Sequence, residues 1–202
     1  MDALTPLLQG SRHIWRGQHH PTEHPSIPSG HPALDQAIPG GGFPAHALSE
    51  IMGVYGVGGL SLCLPMVASV SQHSLVALIN PPYTPYAPAL VYAGVKLDNL
   101  LLILPSTDKD LQWSIEQSAK QGSASMVLCW NPQATPKTQR RAQLASEQGQ
   151  CTTICFRPAA HRHQSSHANL RLCIDASNTE LHLELIKAKA LVGSKHIRLA
   201  RP

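Results

Sequence analysis

The sequence predicts an α/β protein: a mainly parallel sheet flanked by helices, ending in an antiparallel hairpin. Three observations lead there. Short apolar runs alternate with helical segments between residues 48 and 156, the pattern of strands joined by crossover helices on both faces of a sheet. A glycine-rich loop separates the first of these strands from the helix that follows it. Near the C-terminal end, two segments alternate apolar with polar residues around a short Ala-Ser-Asn turn, which marks an antiparallel pair.

Each element has its local reason. Residues 1–26 are polar and irregular, with His19, His20 and His24 among Pro and Gln, and are expected to be a flexible lead-in. Residues 33–38 can form one helical turn, and the Pro39-to-Pro44 run that follows, with three glycines, should suit neither helix nor strand. A strand at 48–52 precedes the glycine loop and a helix to about residue 72. A second strand at 75–79 is closed by Asn80, Pro81 and Pro82, and a helix over 85–93 stops at Gly94. The uninterrupted apolar run 100–104 reads as a strand covered on both faces.

The next helix starts at a Thr107 cap, with Asp108 and Asp110 at its positive end, and stops at Gly122. A buried strand at 124–130 leads to a second capped helix, with Thr135 as cap, Pro136 in its first position and Gly149 at its end. A strand at 151–156 follows, and the hairpin is expected over 170–174 and 180–186. Beyond it the chain is basic, with Lys187, Lys189, Lys195, Arg198 and Arg201 and no acid among them. The expected organisation is a lead-in over 1–26, one domain over 27–187 and a solvated basic tail over 188–202.

Composition narrows the function classes. A chain of 202 residues with 43% hydrophobic residues can build one ordinary core. A formal net charge of +4 is too mild to require a nucleic-acid partner. Five cysteines and an N-terminal stretch without a basic start or a continuous apolar segment point to a reduced, cytoplasmic setting. Residues 51–70 carry no charge, but their glycines and Pro65 fit a strand, loop and buried helix rather than a membrane span.

Most catalytic chemistry cannot be assembled. Cys151 and Cys155 precede His161, His163 and His167. On a strand the two cysteines lie about 13 Å apart, too far for two bonds of roughly 2.3 Å to one zinc. No Gly-x-Ser-x-Gly elbow occurs. Carboxylates are sparse and lie mostly in helices or the hairpin, so no acid–base pair emerges.

The glycine loop is more informative. Gly53, Gly56, Gly58 and Gly59 stand where a phosphate loop belongs, between a strand and a helix. Such a loop needs a Lys for the outer phosphates and a Ser or Thr for magnesium after its last glycine. Here those two places hold Gly59 and Leu60, with Ser61 one position late. The loop is degenerate. Close packing against the sheet is the plainer role for its glycines.

Residues 28–35, 40–44 and 50–53, continuing through 77–80, 92–102 and 122–130, resemble the RecA-type recombinases in order and spacing over about 27–137. The resemblance places the phosphate Lys and its neighbouring Thr on Gly59 and Leu60, the catalytic Glu on Pro82 and the second-motif Asp on Trp130. It therefore implies a RecA-like fold without ATP hydrolysis, no catalytic residue and no cofactor. A stripped RecA-like domain with a basic end is similar to the ImuA family, through Trp15, Arg16, the segment 80–83, the segment 156–158 and the segment 183–187.

That resemblance implies a non-catalytic accessory protein of SOS-induced mutagenic lesion bypass, an adaptor for ImuB, an error-prone C-family polymerase and RecA. The alternative is the related SulA family, division inhibitors that bind FtsZ. Its Arg-Trp and helical Trp positions hold Ser74, Leu75 and Ala89 here, and it lacks the Asp35 and Gly40-to-Pro44 region. Candidate partner-binding residues are Tyr83 and Tyr86 in the Pro81-to-Pro88 loop, Trp130 at a strand end, and Lys187, Lys189, Lys195, Arg198 and Arg201. The basic end is also the candidate contact for DNA phosphates. No metal site is expected, and no contact with a membrane.

Overall fold

The computed structural model describes residues 25–201; the expected lead-in, apart from residues 25 and 26, lies outside them. The centre is an eight-stranded sheet in the order β10-β9-β8-β3-β7-β6-β4-β5. Strands β3 (Leu48–Met52), β4 (Leu75–Ile79), β5 (Leu100–Ile103), β6 (Ala124–Trp130) and β7 (Thr152–Arg157) form the parallel body. Strand β8 (Leu170–Ala176) runs parallel to β3, and β9 (Glu180–Lys187) and β10 (Lys195–Ala200) return antiparallel. The predicted hairpin is β8–β9.

Strand periodicity sorts the core into two layers. On one face Met126, Leu128 and Trp130 of β6 join Ile51, Ile154 and Phe156 under helices α1 (Pro32–Ala37) and α2 (Gly59–Ser71). Helix α3 (Ala87–Tyr92) adds Leu90 to the same layer. On the other face Val127 and Cys129 meet Leu111 and Ile115 of α4 (Asp108–Lys120) and Ala142 and Ala145 of α5 (Pro136–Gln148).

The last two helices are capped as their sequences dictate. The Thr107 side chain accepts from the Asp110 amide at 3.1 Å. Thr135 and Thr138 form a reciprocal capping box. Two glutamines of α5 fasten that helix to β3: the Leu48 amide donates to Gln143 Oε1 at 2.7 Å, and Gln139 Nε2 donates to Glu50 Oε1 at 2.8 Å.

Three expectations change. The apolar run at 100–104 is not covered on both faces, because β5 is the sheet margin: Leu101 is 43% and Leu102 39% exposed. Residues 195–200, expected within a solvated tail, form β10, because Ile197 and Leu199 alternate with polar neighbours and are buried against the sheet. Phe43–Pro44 (β2), within the expected irregular run, pairs with Ser26–Ile27 (β1). A two-residue edge strand tolerates its proline.

Candidate functional site

The carboxyl ends of β3, β4, β6 and β7 converge under the glycine loop, the position where open α/β sheets bind ligands. Backbone contacts fix these ends to one another. The Gly53 amide donates to the Arg157 carbonyl at 3.0 Å, and the Asn131 amide donates to that of Phe156 at 3.2 Å. Asn80, at a φ of 57° that Asn tolerates better than most residues, donates from Nδ2 to the Trp130 carbonyl at 3.0 Å. Gly58 caps α2 with a φ of 93°, the left-handed region that glycine enters freely.

These ends form a half-open cavity of about 170 Å³ between the glycine loop, the Pro81–Pro85 loop and the aromatic wall of Trp130 and Phe156. The two rings stack with centroids 4.6 Å apart and an interplanar angle of 21°. Gly59 packs on that wall, where a Cβ would lie 3.2 Å from the Phe156 ring. The position that the RecA resemblance gives to the phosphate Lys is thus occupied by a close loop-to-ring contact.

Among the described residues Arg157 is the one charged residue lining the cavity, and its charge is engaged elsewhere. Its Nη1 donates to Glu50 Oε1 at 3.0 Å and its Nη2 to the Ala134 carbonyl at 2.8 Å. Arg171 Nε holds the other Glu50 oxygen at 2.7 Å. Arg157 and Glu50 side chains are 0% exposed and that of Arg171 is 8%. The cluster ties β3, β7 and β8 together, and Arg171 extends it to the carbonyls of His161 and Gln164.

These residues do not fit the phosphate chain of ATP with magnesium. Among the described residues the lining carries no Lys and no carboxylate, and the guanidinium is already paired. What the cavity offers is a largely apolar surface with two phenols and the hydroxyl residues Ser61 and Thr84; the phenols are the exposed Tyr83 and the half-buried Tyr55, whose ionisation burial pushes up to about 12. Among the described residues no group of three His, Cys, Asp or Glu could hold a metal. Cys155 sits in β7 within the core opposite Cys129 of β6. Also among them, no helix is long and apolar enough to cross a membrane.

The candidate residues fall into two separate groups. Gly53, Gly56, Gly58, Gly59, Leu60, Pro82, Tyr83 and Trp130 all line the cavity. Tyr83 and Tyr86 are each 71% exposed, and Trp130 is 5% exposed. The basic residues lie along the β9–β10 margin or just beyond it, Lys187 and Lys195 toward one end of those strands and Arg201 at the other, beside the β8–β9 turn. There Lys187 Nζ donates to the Ser166 carbonyl, Lys195 Nζ to that of Ala37 and Arg201 Nη1 to that of Ser177. Burial pushes the Lys187 ammonium below its ordinary value, with neighbouring Arg171 adding to the effect. Lys189 and Arg198 are exposed.

Tyr55, Phe156 and Arg157 were not among the sequence candidates, although they build the cavity wall. Glu50 is the exception among the described residues to the expectation that carboxylates lie mostly in helices or the hairpin, which the other acids meet. It stands in the middle of a buried strand, and that isolated charge in an apolar run was the available signal.

The fold and this strand-end site define a RecA-like α/β protein, and comparison with known proteins agrees over about half of the chain. RecA of Acholeplasma laidlawii is 37% identical over 107 residues, which are 51% of this chain and 31% of that protein. RecA of Bacillus licheniformis is 31% identical over 116 residues, 55% of this chain and 32% of that protein. The chain therefore spans about a third of the length of the curated relatives it matches. No family model matches. Among solved structures, SulA from Pseudomonas aeruginosa aligns with a TM-score of 0.47 and 19% identity, over 55% of this chain and 97% of SulA.

Proposed function

We propose that the protein is a non-catalytic adaptor in SOS-induced mutagenic lesion bypass, acting in the cytoplasm beside ImuB, an error-prone C-family polymerase and RecA. One observation carries the non-catalytic part of this reading. At the strand-end site Gly59 packs on Phe156, and Arg157, the one charged lining residue among the described residues, is bound to Glu50, so these residues bring neither a free cation for a phosphate chain nor a carboxylate for its metal. Partial RecA similarity supports the setting; the named partners follow from the ImuA resemblance.

The adaptor would use two surfaces: the tyrosine-bearing loop beside the cavity, and the basic margin at β10 with its reach to nucleic-acid phosphates. The test is a pull-down of the full chain against ImuB, RecA and FtsZ, with Tyr83→Ala/Tyr86→Ala and Lys195→Ala/Arg198→Ala/Arg201→Ala variants. These point changes leave the buried side of β10 intact, as a truncation would not. Retention of ImuB or RecA, weakened by either variant, is expected. Retention of FtsZ alone would replace the reading with division inhibition, and turnover of labelled ATP by the pure protein would end its non-catalytic part.

A further inference from the structure

We propose that the β5 margin is a dimer interface, where a second copy of this chain pairs its own β5 antiparallel across a two-fold axis at Leu102. The pairing joins the two eight-stranded sheets into one and points the two strand-end sites in opposite directions. It is independent of the adaptor reading above.

The backbone supplies the first argument. Among the described residues β5 has one neighbouring strand, β4. The Asn80 amide donates to the Ile103 carbonyl at 2.9 Å, so Ile103 is turned toward β4. Strand alternation turns Leu101 the same way and aims the N–H and C=O of Leu102 outward, with the Leu100 carbonyl and the Leu104 amide on the same side. The Leu100 amide already donates to the Leu97 carbonyl. Antiparallel pairing about the axis sets Leu102 against Leu102, and the two exchange both backbone bonds. It also brings each Leu104 amide to the outward Leu100 carbonyl of the other copy.

Side chains supply the second. In this register Leu102 faces Leu102, Leu101 faces Ile103 and Leu100 faces Leu104, so every facing pair is aliphatic. Leu101 is 43%, Leu102 39% and Leu104 64% exposed in the single chain, and pairing covers them with a gain from apolar burial. Edge strands are commonly guarded by charge, proline or a bulge; residues 100–104 carry neither charge nor proline.

Charge supplies the third, and it selects a copy of this chain over an unrelated strand. Continued outward, the register carries Lys96 of each copy toward Asp108 of the other. Both residues are exposed, and neither forms an ion pair among the described residues. No like charges meet, since Asp98 comes opposite Ser106 and Lys109 opposite Val95. The contact uses up β5 on both copies, so assembly closes at two. A strand this short gives an interface at the small end of the stable range, and micromolar dissociation is expected.

The test is sedimentation equilibrium of the full chain under reducing conditions, from micromolar to near-millimolar concentration, with amide exchange followed by NMR. A monomer–dimer equilibrium approaching twice 21.8 kDa is expected, with the Leu102 and Leu104 amides protected in the dimer and exchanging rapidly on dilution. Leu102→Pro removes the outward N–H at the axis and no bond to β4. It should weaken the dimer about tenfold or more and leave the urea midpoint near the parent's. Lys96→Asp and Asp108→Lys should each weaken it about fivefold, and the two together should restore it, a recovery that a folding defect would not produce.

A monomer at every concentration would overturn the proposal, whether the Leu102 amide then exchanges freely or is protected by a segment of the same chain. A dimer indifferent to Leu102→Pro would place the contact elsewhere, and association continuing past two copies would remove the two-fold axis. Should Leu102→Pro unfold, the charge exchange decides: single changes without effect, or a double variant that stays weak, would overturn the pairing.

Discussion

The two margins of the sheet follow opposite rules. At one, β10 alternates: Lys195 and Arg198 face water while Ile197 and Leu199 are buried. At the other, β5 is Leu-Leu-Leu-Ile, uncharged, with Leu101 and Leu102 exposed on successive positions and Leu104 beyond them 64% exposed. Charged residues on an edge strand discourage pairing with another chain, and an apolar edge without them invites it. Between the margins lies a centre organised around a buried carboxylate. Edge character is thus a property of strand order, and a strand's own composition does not announce it.

The contrast between centre and margins can be broken most forcefully at Glu50. Glu50→Ala leaves two buried guanidinium groups without their carboxylate. Removing one partner of such a cluster costs about 3–5 kcal/mol, so the urea midpoint should fall sharply, to the point of unfolding in a marginal domain. A midpoint within experimental error of the parent would mean that the cluster is not coupled to folding.

Truncation after Lys187 comes next. It removes β10, hence the burial of Ile197 and Leu199, at about 1.5–3 kcal/mol for each side chain. The expected loss is about 3 kcal/mol or more, read as a lower urea midpoint. An unchanged midpoint would restore the picture of a solvated tail.

How much of this was legible follows from the same residues. The parallel body, the two threonine caps and the glycine loop could be read because each depends on local spacing. The hairpin could be read because alternation survives in one sequence window. β10 carries that alternation too, in His196-Ile197-Arg198-Leu199, but its basic residues drew attention to charge instead. β5 could not be placed, since an all-apolar run looks the same at a centre and at a margin. The cavity was half legible: its loop and Trp130 stood out, whereas Tyr55, Phe156 and Arg157 meet only once the strand order β3-β7-β6 brings them together.

A smaller effect probes the centre through pH. Burial pushes the thiol of Cys63 in α2 up from 9.0 to about 12. In the unfolded chain the same thiol ionises near its ordinary value. Above that pH the unfolded state has shed a proton that the folded state keeps, so stability is intact below about pH 9 and declines as pH rises beyond it, by about 1.4 kcal/mol per pH unit per thiol. Cys63→Ala should flatten the alkaline decline of the urea midpoint by that one share, measured under reducing conditions between about pH 8 and pH 10. An unchanged slope would mean that the thiol titrates alike in both states.

The smallest change in stability is expected at β5, and it separates margin from centre most cleanly. Leu102 is 39% exposed, whereas Leu128, two strands inward on β6, is fully buried. Leu102→Lys should leave the urea midpoint within about 0.5 kcal/mol of the parent, as surface changes do, because the long side chain can carry its ammonium into water. Leu128→Lys would bury an unpaired charge and unfold the protein. If the apolar margin is a template for pairing, the Leu102→Lys protein should scatter less light at high concentration while folding as well as the parent. Lower stability with unchanged scattering would show that β5 is packed like an interior strand, and the contrast between the margins would collapse.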